Sequence, residues 1–170
     1  MQRTRILRPI SEGQSVIIKP TTGERLIYRA TDVFGSIDRG SFTRCGMTNP
    51  GIPTGETSVL IHEMIEDGTY MDIFRDLPGG WEESFVTQDQ VIEFCRNSAG
   101  WLRTERYATM FLVPKNERRP VDVYHPENSL EVVSVMVIRT ILFVTVNHLD
   151  YGVEIRGDRH MRIVSPVPEP

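Results

Sequence analysis

The chain has 170 residues, 39% apolar and 25% charged, with a formal net charge of −4. That length suits one domain that buries its core without a metal or disulfide staple, and the near-average composition excludes wholesale disorder, collagen and coiled coil. The charge is segregated: residues 1–56 carry eight Arg/Lys against five Asp/Glu, residues 57–100 carry two against nine, and residues 101–170 carry nine of each.

In chain order, Ser15–Lys19 and Glu24–Ala30 read as short strands around Pro20-Thr21-Thr22-Gly23, turn chemistry that predicts an N-terminal hairpin within residues 1–30. Residues 31–57 hold five glycines and two prolines without a sustained period, and are expected to form a long loop. Ser58–Ile65 is apolar on both faces, as in a central strand. Thr69 with Asp72 makes an imperfect capping box, and Tyr70, Ile73, Phe74 and Leu77 share one helical stripe. A second helix starts at the capping box Thr87/Gln90, with Asp89 in its first turn, Val91, Phe94 and Cys95 on one face, and Gly100 beyond its end.

From Trp101 to Val164 the pattern is sheet: Tyr107–Val113, a short edge at Val121–Tyr124, one long or two shorter strands over Glu131–Val146, then Tyr151–Ile155 and Met161–Val164. Arg139-Thr140 is poor chemistry for a two-residue hairpin loop, which favours Asn-Gly. The run Leu130–Leu149 is long enough to span a bilayer. It nevertheless contains Glu131 and Arg139, and half of it is Val, Ile or Thr, so it reads as sheet. Residues 165–170, with three prolines, are expected to be a mobile tail. The expectation is one α+β domain: a mostly antiparallel sheet with two short helices packed on one face.

Several chemistries are excluded. Gly51–Thr57 echoes a phosphate loop but has the wrong glycine spacing and Glu56 in place of lysine; no dinucleotide fingerprint or nucleophile elbow occurs. Cys45 and Cys95 have neither metal-type spacing nor a disulfide framework, and Met1–Ile10 is no secretory signal, so reduced thiols, a cytoplasmic location and no cofactor are expected. His62-Glu63 begins like a zinc-protease helix, but Glu66 stands where the second histidine belongs. His148 with Asp150, and Asp158 with His160, are weak metal or acid–base candidates at i, i+2 spacing. No catalytic residue is assigned.

Two surfaces remain. Glu63, Glu66, Asp67, Asp72, Asp76, Glu82 and Glu83 form an acidic block suited to docking a basic protein partner. Arg3, Arg5 and Arg8, with Trp101, Arg103, Arg106 and Tyr107, mix basic and aromatic groups as nucleic-acid binders do. The leading expectation is a non-enzymatic binding or regulatory module acting through a protein partner. The alternatives are a nucleic-acid-associated protein and, third, a hydrolase-like enzyme using the C-terminal His/Asp pairs.

The block Trp101-Leu102-Arg103-Thr104 with Tyr107-Ala108-Thr109-Met110-Phe111-Leu112 has the form W-L-R-T-x-x-Y-A-T-x-F-L. It follows an E-M-x-x-D-G-T segment at Glu63–Thr69 and a T-Q-x-Q helix start at Thr87. Together these resemble a group of small hypothetical proteins of candidate-phyla bacteria across roughly Thr31–Val164, departing at Pro114–Glu127. The resemblance implies a bacterial single-domain protein and carries no activity, cofactor or catalytic residue.

Overall fold

The computed structural model describes residues 5–170. Among these residues eight strands form one mixed sheet: β1 (Leu7–Pro9), β2 (Val16–Ile18), β3 (Ser36–Ile37), β4 (Thr57–Met64), β5 (Ala108–Pro114), β6 (Leu130–Ile138), β7 (Ile141–His148) and β8 (Arg162–Pro166). The strand order is β1-β4-β8-β5-β6-β7-β3, with β2 also on β4. The expected mostly antiparallel sheet is corrected: β8 runs parallel to β5, and β3 runs parallel to β7.

Strand β5 is buried along its whole length, so its alternating side chains must be covered on both sides. Phe111 and Val113 point to one face with Val133, Val135, Val144 and Val146; Met110 and Leu112 point to the other with Val132 and Ile163. Among the described residues four helices supply the cover: α1 (Arg39–Arg44), α2 (Tyr70–Arg75), α3 (Gly80–Glu83) and α4 (Gln88–Asn97). Val91, Phe94 and Cys95 of α4 and Phe42 of α1 join the first core, whereas Ile73 and Phe74 of α2 join the second. This replaces the expected two helices on one face. No helix is long and apolar enough to cross a membrane among the described residues.

Helix α4 starts where the sequence places it. Thr87 accepts from the Gln90 amide at 3.2 Å, and the Gln90 side chain accepts from the Thr87 amide at 2.9 Å. Phe94 then meets Phe111 edge-to-face, with ring centroids 5.5 Å apart. Helix α2 has the same box, between Thr69 and Asp72.

Local readings fail where the chain pairs at long range. The N-terminal hairpin does not form: β2 pairs with β4, and Ile27–Arg29 is a 3-10 turn. The 31–57 segment is not a bare loop, because it contains β3 and α1. Val121–Tyr124 and Tyr151–Ile155 are not strands, although Ile155 bridges Gly68. The presumed tail is shorter, since β8 runs through Pro166 and the Val167 amide donates to the Ser58 carbonyl.

Glu131–Val146 divides into β6 and β7 at Arg139-Thr140, whose φ angles of 57° and 92° are left-handed. This two-residue turn needs the conformation that Asn-Gly supplies without strain. Thr140→Gly should therefore raise stability by about 1 kcal/mol, read from urea unfolding. In the same assay Phe94→Ala should cost about 3–5 kcal/mol; a loss below about 1 kcal/mol would be incompatible with its core position.

Candidate metal centre

Antiparallel register places Glu131 of β6 directly opposite His148 of β7, and opposite Val113 on its other side. Glu131 therefore points to the α4 side of the sheet, at the end of the valine ladder, where its side chain is 0% exposed. Two residues beyond Val113, Lys115 reaches the same place.

Helix α1 brings the third segment. Asp38 caps it by accepting from the Ser41 amide, and the Ser41 hydroxyl accepts from the Val146 amide of β7 at 3.2 Å. That bond pins the helix to β7, and its C-cap residue, Cys45, lands over the Glu131/His148 pair.

His148 Nδ1 lies 3.0 and 3.2 Å from the two Glu131 oxygens and 3.9 Å from Cys45 Sγ. One donor atom from each of the three residues lies within 4.8 Å of the other two. Lys115 Nζ lies 3.1 Å from Glu131 Oε1 and also donates to the Glu127 carbonyl. Burial pushes the Glu131 carboxyl above the usual range, against the opposing pull of Lys115 and His148. Burial, followed by the nearby Glu131 charge, pushes the Cys45 thiol up to about 11.

Those facts separate two chemistries. A nucleophilic Cys–His–carboxylate triad needs a lowered thiol pKa and a histidine that uses one nitrogen for each partner. Here the thiol is raised, and sulfur and carboxylate face the same Nδ1. A metal site has the opposite requirement, with all three donors facing one point. A tetrahedral zinc with bonds of about 2.3 Å to sulfur and 2.0 Å to nitrogen holds those atoms about 3.5 Å apart. The observed 3.9 Å is a few tenths of an ångström away.

The sequence candidates are distributed otherwise. His148 turns to Glu131 and not to Asp150, which is exposed. His160 meets the Met64 carbonyl and Glu63, while Asp158 pairs with Arg156. In the acidic block, Glu63 pairs with Arg8, Asp67 accepts from the Gly157 amide, Asp72 closes its capping box, and Asp76 accepts from the Ile6 and Leu7 amides. Glu66, Glu82 and Glu83 remain exposed. Arg3 lies outside the described residues; Arg5 is exposed. Arg103 stacks on Tyr107, and the Trp101 carbonyl accepts from Arg162, while Arg106 is exposed on a separate cavity. Cys45, Glu131 and Lys115 were not among the sequence candidates. A lone carboxylate inside an apolar β-run was the one available signal. Comparison with known protein families, curated proteins and solved structures gives no match.

Two groups outside this centre, the buried His62 and the half-buried Glu117, set an acid–base response. Burial holds His62 down at about 4, and burial raises Glu117, beside the start of α4, to about 7. Between pH 4 and 6.5 the unfolded chain binds more protons at residue 62, so His62 makes stability rise with pH. Between pH 4.5 and 7 the folded chain binds more at residue 117, so Glu117 makes stability fall with pH. Urea titrations should find that Glu117→Gln steepens the rise of stability between pH 4.5 and 6.5, whereas His62→Gln steepens the fall. An unchanged pH profile in both variants would contradict the burial assigned to these groups.

Proposed function

We propose that the protein binds one divalent transition-metal ion of the zinc class, held by Cys45 Sγ, a Glu131 oxygen and His148 Nδ1. The reading is supported by the convergence of a thiol, a buried carboxylate and an imidazole, from three distant segments, within 4.8 Å. A soft sulfur with nitrogen and oxygen donors suits zinc, cobalt(II) or iron(II) better than magnesium or calcium. Electrostatics supports it as well. A dication at this point compensates the Glu131 carboxylate more fully than the ammonium does, and it stabilises the Cys45 thiolate. Lys115 has the Glu127 carbonyl as a second acceptor, so it can release Glu131 without losing every partner.

Three protein ligands leave a fourth position free, the pattern of catalytic zinc sites. His148 is 48% exposed at its side chain, so that position faces water. A water bound there would be acidified, which suits hydrolysis. Metal binding is the proposal; hydrolysis is the reaction such a centre would support. A docking role for the acidic segment would rest on Glu66, Glu82 and Glu83, the exposed carboxylates of that block that accept no hydrogen bond and form no ion pair among the described residues.

Cobalt(II) titration of the apo-protein tests the metal site. One equivalent should produce visible d–d bands and a near-ultraviolet sulfur-to-cobalt charge-transfer band, both displaced by zinc. Cys45→Ser should remove the charge-transfer band, and His148→Ala should weaken binding by about 10–100-fold. A spectrum identical in wild type and Cys45→Ser would end the proposal.

A further inference from the structure

The β6/β7 hairpin tip is exposed at Arg139, Thr140 and Ile141, and Ile138 and Ile141 share the sheet face of Met136, on the α2 side. A cavity of about 400 Å³ opens there, lined by Ser36, Arg106, Ile138, Arg139, Ile141 and Phe143. Cross-strand pairing puts Ile138 opposite Ile141, and parallel pairing puts Ser36 beside Phe143, so the floor is apolar with one aromatic ring. The rim is cationic. Arg106 and Arg139 are exposed and make no ion pair or side-chain hydrogen bond among the described residues, and no carboxylate lines the cavity.

Many other arginines are engaged, among them Arg8 with Glu63, Arg25 and Arg96 with Asp32, Arg118 with the Pro50 and Gly51 carbonyls, and Arg156 with Asp158; Arg44, Arg119 and Arg159 are exposed like the rim pair, but none of the three lines this cavity. The two rim arginines also sit in left-handed backbone, with φ of 66° at Arg106 and 57° at Arg139. Each belongs to a turn with two consecutive left-handed residues that are not glycine, Glu105-Arg106 and Arg139-Thr140. Such backbone costs free energy and persists only where the surroundings enforce it.

We propose that this cavity binds a phosphate monoester carried on a flat ring system, a ligand of the nucleoside-monophosphate class. Charge selects the phosphate: a monoester near neutral pH carries about −1.5 to −2, which balances two guanidinium groups where a single carboxylate would leave one uncompensated. Guanidinium forks match phosphate oxygens in geometry. The ring system covers Ile138, Ile141 and the Phe143 ring, removing apolar surface from water. A cavity of this volume lies within the range of small-ligand sites, about 300–1,000 Å³, and accommodates one nucleotide unit. The site lies at the opposite end of β7 from His148 and is independent of the metal centre.

Isothermal titration of the full chain with adenosine 5′-monophosphate at low salt tests this. Saturable one-to-one binding is expected, with adenosine and inorganic phosphate each at least about tenfold weaker, because each makes only half of the contacts. Arg106→Gln and Arg139→Gln should each weaken the monophosphate by about tenfold or more at an unchanged melting temperature. Ile141→Asp, which keeps both arginines but places a carboxylate on the floor, should also abolish binding. Absence of saturable binding would overturn the proposal, as would affinity unaltered in both arginine variants. Tighter binding of single-stranded oligonucleotides than of the monophosphate would overturn it in favour of a nucleic-acid surface. A dimer in light scattering that Ile141→Asp dissociates would overturn it in favour of a second copy of the chain.

Discussion

A carboxylate buried at the end of a valine ladder is the constraint from which the rest of this site follows. Removing an ionised carboxylate from water costs several kcal/mol even after relaxation, and Glu131 is fully enclosed. Its neighbours answer that cost: Lys115 from the end of β5 and His148 from the facing strand both reach it. An all-apolar arrangement at this position would need none of them. Cys45 is then held against the same group by α1, where burial and then the Glu131 charge make the thiol harder to ionise. A dication resolves both problems at one point, favouring the carboxylate and the thiolate together.

The sheet makes this arrangement possible because it is covered on both sides. With β5 and β6 buried on both faces, their inward residues on the α4 side form a continuous apolar column that ends at Glu131. The ladder β5-β6-β7 aligns Val113, Glu131 and His148 across three strands without help from any loop. Only Cys45 depends on a helix, and the bond between Ser41 and the Val146 amide ties that helix to the strand carrying His148. Three of the four groups at the centre thus stand on or next to the most buried part of the fold. Rigid placement of this kind is what a coordination site requires.

Much of the secondary structure was legible in the sequence because its signals are local. The capping box Thr87/Gln90, the apolar stripe of α2 and the two-sided apolar runs of β4 and β5 each sit within a dozen residues. Pairing was not legible in the same way. Pro20–Gly23 is a genuine turn sequence, yet β2 turns to β4 about forty residues away, since burying Val16 and Ile18 there outweighs a local hairpin. Arg139-Thr140 argued against a hairpin by turn chemistry, and the eight-residue β6/β7 register overrides that preference at the cost of two left-handed residues. The site was hidden for a similar reason. His148 was visible as a candidate, but its carboxylate partner was sought two residues along the strand and lies across the sheet at Glu131. The acidic block looked like a surface because sequence counts charges without showing their partners. Asp72 and Asp76 instead cap or receive backbone amides, and Asp67 does likewise.

The central question is whether Glu131 is buried for a metal or solely for its ion pairs with Lys115 and His148. Zinc K-edge X-ray absorption on protein loaded with one equivalent of zinc answers it most directly. A first shell of one sulfur at about 2.3 Å with nitrogen and oxygen scatterers near 2.0–2.1 Å is the expected result. A shell without sulfur, or zinc lost on gel filtration with Lys115 and His148 still paired to Glu131, would contradict the metal centre and leave the cluster as a buried ion-pair network.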